Sequence, residues 1–221
     1  MFVRRSVRDL LPGDHAWLPY GSESEQGHVI GDWVRHGLSI RDKVIYVTDA
    51  EAWELPGMFG EDLGPAVRAG LLTLIPVGEA CLTAGMFDPA KMVETLSDEI
   101  KKADEQEFRG IRVTPDMSWA FSEPFGDARL DSCEREFAGH VCPSISVTAI
   151  CQTDVRRCDP GQLDLLKQHH EVRVIPNPDF DDPVLSITRT YQPLGLHLKG
   201  ELDEARQGRF EEVGRPGEVG G

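Results

Sequence analysis

At 221 residues and 40% apolar side chains, the chain can bury one sizeable core and is short for two full domains. Its 38 acidic against 23 basic residues give a net charge of −15, and with Arg4, Arg5 and Arg8 as the only basic cluster it lacks the basic footprint that nucleic-acid binding requires. The five cysteines include no CxxC pair, no apolar run reaches the ~20 residues of a membrane span, and the basic start MFVRRSVRDLL lacks a signal-peptide core, so a cytoplasmic chain with reduced thiols and no metal is expected.

In chain order, Gly13-Asp14 is a turn signal, and His15–Tyr20 reads as a first strand weakened or ended by Pro19. Ser22 or Ser24 is a candidate cap for a helix carrying Val29, Ile30, Trp33, Val34 and Leu38 at helical spacing, with Gly37 at its end. Lys43–Thr48 is the clearest strand. A short helix over Gly60–Ala69 and a strand over Leu71–Pro76 follow, and 78–85 is ambiguous. Asp88-Pro89 starts a helix to about Ala103, with Met92, Val93, Leu96 and Ile100 on one stripe. Ile111–Thr114 is a strand that breaks at Pro115. Leu130–Ala138 reads as a helix, Ser144–Cys151 as a strand, and Asp159-Pro160 starts a helix to about His169. Val172–Ile175 and Leu185–Thr190 read as closing strands.

Strands that are nearly continuous in apolar residues, alternating with helices, predict an α/β fold. The specific expectation is a three-layer α/β/α sandwich around a mostly parallel sheet. One domain is expected over residues 1–199. Residues 200–221, charged and Gly-rich, read as a disordered tail or the stub of a linker.

α/β folds place their sites at the carboxyl ends of strands. The first such loop, Tyr20–His28, has two glycines, two acids (Glu23 and Glu25) and no lysine. A P-loop needs amides and a lysine around the phosphates, so ATP chemistry of that kind is not expected. On alternation, His15 and Trp17 face one side of their strand, and Asp14, Ala16, Leu18 and Tyr20 the other. His15 reads either as a hydrogen-bonded core histidine or as a polar group in a pocket. Asp116 and Glu134 read either as an acid/base pair or, preferably, as carboxylates that cap amides and pair with Arg112. Trp119 is core or the wall of an apolar pocket. His169 and His170 suit a helix end, and spacing supplies no third metal ligand beside them.

These residues together resemble the MEDS sensory domain family. The resemblance is carried by Gly13-Asp14-His15, Tyr20, Glu23 and Glu25, the Gly37-Leu38 pair, the Lys43–Val47 strand and Phe87-Asp88-Pro89. It continues through Arg112–Ala120, Glu134, Ile150–Asp154 and His169, and spans about Leu10 to Val174. It implies a RecA/KaiC-like core with a degenerate nucleotide site, and a sensory role in bacterial signal transduction or transcription control. The chain departs from the family pattern at Ala16, Asp116 and Cys133.

The resulting expectation is a non-enzymatic domain, without cofactor, that binds a small ligand through His15, Trp17, Tyr20, Asp116 and Trp119. Asp14, Glu23, Arg112 and Glu134 would shape that site. A protein partner in a regulatory pathway and self-association are expected, and neither nucleic acid nor membrane. The alternatives are a ligand-free interaction module of a sigma-factor partner-switching pathway, with Glu94 and Asp98 on its working face, and a degenerate nucleotide binder.

Overall fold

The computed structural model describes residues 3–121, 127–140, 146–191 and 193–214. Strands β1 (Val3–Ser6) and β2 (His15–Tyr20) precede helix α1 (Glu23–Ser39), strand β3 (Lys43–Val47), helix α2 (Gly64–Arg68) and strand β4 (Leu72–Ile75). Helix α3 (Val77–Cys81), the hairpin β5 (Leu82–Thr83) and β6 (Met86–Phe87), and helix α4 (Pro89–Glu105) follow. The remainder of the sheet comes from β7 (Ile111–Pro115), β8 (Val147–Asp154) and β9 (Val172–Ile175), with helices α5 (Asp127–His140) and α6 (Pro160–His169) between them.

The sheet has seven strands in the order β1-β9-β2-β8-β7-β3-β4, and every pairing in it is parallel. Its two faces bury different cores. On β3, Ile45 and Val47 join one core with α3, α4, α5 and α6, while Val44 and Tyr46 join the other with α1. Period-2 alternation with both faces covered explains why these strands read as continuous apolar runs. The three-layer sandwich is therefore as expected. β1 was missed because its sequence, VRRS, is basic and half exposed. It is held by pairing with β9, about 170 residues away in sequence.

The caps follow side-chain chemistry. Ser22 accepts the amide of Glu25, and Asp88 accepts those of Ala90 and Lys91. Asp159 and Gln162 form a reciprocal capping box. Gly37 does not end α1. It lies inside the helix, where a Cβ would run into the side chain of Arg112, and Arg41 takes the left-handed conformation beyond the end.

One close approach depends on three glycines. Gly27 and Gly31, one turn apart on α1, admit the backbone of Gly57, which has φ of 74°. A Cβ on Gly57 would overlap the carbonyl oxygen of Gly27. Gly57→Ala is expected to cost on the order of 2 kcal/mol, from left-handed strain plus displacement of the loop. Chemical denaturation checks this; an unchanged midpoint would mean that the loop moves freely.

The chain divides into two compact units after Ile175. The second unit is an antiparallel sheet of β10 (Phe180–Asp181), β11 (Leu185–Tyr191) and β12 (Leu194–Gly200), followed by helix α7 (Glu204–Gly214). Where a disordered tail was expected, α7 is tied to the hairpin. Arg206 pairs with Asp182 at 2.7 Å, and Arg189 donates to the carbonyl of Val213 at 3.3 Å. Ion pairs of this kind carry no signal in local composition. No helix among the described residues is long and apolar enough to cross a membrane.

Candidate functional site

Among the described residues, polar side chains at the carboxyl edge of the sheet bond to one another. Gln152 on β8 is fully buried. It donates to Tyr46 Oη and Thr114 Oγ1, both at 2.9 Å, and accepts from Gln26 of α1 at 2.8 Å. Gln26 also donates to Asp116 Oδ2 at 3.3 Å. Asp116 continues β7 through a bridge to Gln152, and its other oxygen accepts the amide of Ser118. Ser118 Oγ accepts the amide of Asp154 and lies 3.1 Å from Tyr20 Oη. Burial, reinforced by the charge of Asp116, pushes the phenols of Tyr20 and Tyr46 up, so both remain protonated. In the loop after β2, the carboxylate of Glu25 accepts the amide of Gly21 at 2.9 Å. An internal anion thus takes an amide that a P-loop would offer to phosphate.

A second cluster lies under the amino-terminal half of β2, on the face covered by α5 and α6. β2 and β8 pair so that His15 faces Ala149 and Trp17 faces Cys151. His15 Nε2 lies 3.2 Å from Cys151 Sγ and 3.6 Å from Glu134 Oε2 of α5. His170, just beyond the end of α6, brings its Nε2 to 3.6 Å from the same carboxylate oxygen. The two imidazole rings are 4.1 Å apart.

The electrostatics of this cluster are unusual. Burial pushes the carboxyl of Glu134 up to about 8 and the imidazole of His170 down to about 4. His15 is lowered well below its usual value by burial and then by the neighbouring histidines. Both rings are therefore neutral, and their contacts with Glu134 are not ion pairs. At 3.6 Å they are also too long for hydrogen bonds. Neither oxygen of Glu134, nor His170 Nε2, nor His15 Nδ1 has a hydrogen-bond partner among the described residues.

His15 also forms part of a cleft of about 290 Å³ at the amino edge, together with Gly13, Asp14, Ala138, His169, Glu171 and Val172. This is the opposite end of the strands from Asp116.

The expected ligand set is thus dispersed. Trp17 is buried beside the cluster and donates to Thr153 at 3.2 Å. Tyr20 belongs to the core on the other face, while Trp119 packs edge-on against Phe87. Asp14 pairs with Arg5 and accepts the amide of Leu11, and Glu23 is exposed at the start of α1. The expected link among Arg112, Asp116 and Glu134 does not exist. Arg112 points to the α1 face, donating to Asp42 at 2.8 Å and to the carbonyl of Trp33 at 3.0 Å, while Glu134 lies on the opposite face. The residues that sequence reasoning did not combine are Cys151 and His170 with His15 and Glu134. Strand parity puts His15 on one face, but nothing local makes β2 and β8 neighbours.

No curated protein matches the chain. A family model described as "MEDS: MEthanogen/methylotroph, DcmR Sensory domain" matches residues 14–171. That span starts just before β2 and ends just before β9, so it takes in both the hydrogen-bonded carboxyl edge and the buried cluster. It covers well over half of the chain, and the chain accordingly belongs to the MEDS family of sensory domains.

Proposed function

We propose that this sensory domain works without catalysis, in bacterial signal transduction or transcription control, by binding a small molecule in the amino-edge cleft and passing the change to a protein partner. The carrying observation is the contrast between the two edges. The carboxyl edge, where a RecA/KaiC-like relative would hold nucleotide, is satisfied internally by Gln152, Asp116, Ser118 and Glu25. The amino edge has an open, polar cleft with His15 in its wall. A cleft of about 290 Å³ is near the lower end of ligand pockets, which favours a small organic molecule over a nucleotide.

The test is a thermal-shift screen of small organic compounds and of ATP with magnesium. A ligand at about a hundred times its Kd stabilises by about 2.7 kcal/mol, a rise in Tm on the order of 5–10 °C for a chain of this size. A small organic molecule should produce it, and Ala138→Leu, which narrows the cleft, should remove it. A shift by ATP with magnesium, or an organic shift that survives Ala138→Leu, would refute the assignment.

A further inference from the structure

We propose that His15 Nε2, a carboxylate oxygen of Glu134, Cys151 Sγ and His170 Nε2 form a binding site for a divalent first-row transition ion, of the Zn²⁺ class. The inference goes beyond the cleft-ligand reading and does not depend on it.

Geometry is the first support. The four donor atoms lie within 4.8 Å of one another. A tetrahedral ion with bonds of about 2.0–2.3 Å sets its ligands about 3.4 Å apart. The separations of 3.2, 3.6 and 3.6 Å match that edge length, and the remaining pairs lie within 4.8 Å. The donors come from four places in the fold: β2, α5, β8 and the end of α6. An ion would therefore cross-link two strands to two helices.

The unsatisfied atoms are the second support. Buried polar groups are normally paired, yet both oxygens of Glu134 and Nε2 of His170 lack hydrogen-bond partners among the described residues, and Glu134 Oε2 lies 3.6 Å from the Nε2 atoms of both His15 and His170. The tautomer of His170 is already suited to ligation. Its Nδ1 donates to the carbonyl of Leu166 at 2.8 Å, which leaves the Nε2 lone pair directed at the cluster.

Charge balance is the third support. Two neutral imidazoles, one carboxylate and one thiolate carry −2, so a dication makes the buried site neutral. A mixed set of nitrogen, sulfur and oxygen donors suits zinc and neighbouring transition ions over magnesium or calcium. His15 is shared between the cluster and the cleft, whose lining also carries the exposed carboxylate of Glu171. Among the described residues His15 Nδ1 has no outer partner, which favours an exchangeable ion over a locked structural one.

The test uses the tag-free full chain, stripped by chelator under reducing conditions and titrated with Co²⁺, with Zn²⁺ as competitor. The expected result is one equivalent bound, with a thiolate-to-cobalt charge-transfer band and the intense visible bands of tetrahedral coordination, both displaced by zinc. Cys151→Ser should abolish the charge-transfer band, and Cys158→Ser should retain it. Glu134→Gln preserves the shape of the site and should weaken binding by more than the roughly 10–100-fold cost of losing an outer-shell partner. Circular dichroism confirms that each variant is folded. Absence of stoichiometric binding to the folded wild type overturns the proposal. So does a cobalt spectrum that survives Cys151→Ser, or an affinity unchanged in Glu134→Gln. No organic ligand is present in the titration, so its outcome is independent of the cleft screen.

Discussion

Gln152→Ala is expected to destabilise the chain by about 3–5 kcal/mol, lowering Tm by roughly 10 °C or more. The side chain is fully buried on β8 and joins α1, β3 and β7 through Gln26, Tyr46 and Thr114. Truncation opens a cavity and leaves the buried hydroxyl of Tyr46 without its partner. An orphaned buried polar group costs about 1–3 kcal/mol, and the lost packing adds a similar amount. Gln152→Met separates the two contributions, since it restores volume but not hydrogen bonds. Adding Tyr46→Phe to Gln152→Met should recover part of the loss, because removing both partners is cheaper than removing one. Urea unfolding of wild type, Gln152→Met, Tyr46→Phe and the double variant forms a double-mutant cycle. A Gln152→Ala variant within 1 kcal/mol of wild type would mean that the edge is not sealed by this network.

Glu134→Leu is expected to act in the opposite direction on the metal-free chain, stabilising it by about 3 kcal/mol and raising Tm by roughly 6–12 °C. Glu134 is 1% exposed, and neither of its oxygens has a hydrogen-bond partner among the described residues. Burying a carboxyl group without partners costs free energy in either protonation state, and an apolar side chain of similar volume removes that cost. With Zn²⁺ added the order should reverse: wild type gains from the bound ion, and the variant, lacking one ligand, gains little. Denaturation in chelator and then in excess zinc measures both. If Glu134→Leu is the less stable protein in chelator, Glu134 is a structural residue with partners that this geometry does not contain. A residue that costs stability in the empty domain and repays it on binding is what a sensory site would retain.

The fold was largely legible because its signals are local. Lys43–Val47 and Ile111–Thr114 announce strands through β-branched runs, and Asp88-Pro89 and Asp159-Pro160 announce helix starts through capping chemistry. The losses were where stability comes from afar. VRRS at 3–6 becomes a strand only by pairing with β9, and 204–214 is a helix fastened by Arg206 to Asp182. Gly37 was misplaced because a glycine that admits the side chain of Arg112 looks, in sequence, like a glycine that ends a helix.

The site divides along the same line. By itself the sequence determined that the first strand-to-helix loop lacks the composition of a P-loop, since no lysine lies there and two glutamates do. It also determined the side of the strand on which His15 lies, because side-chain direction alternates with a period of two residues. Only the tertiary structure decided that Arg112 and Glu134 belong to opposite faces, and that a cleft containing His15 opens at the amino edge. It alone brought Cys151 and His170 to His15 and Glu134. Strand order sets those neighbours: β2 lies between β8 and β9, partners some 130–155 residues further along the chain, and no local pattern records which strands will pair.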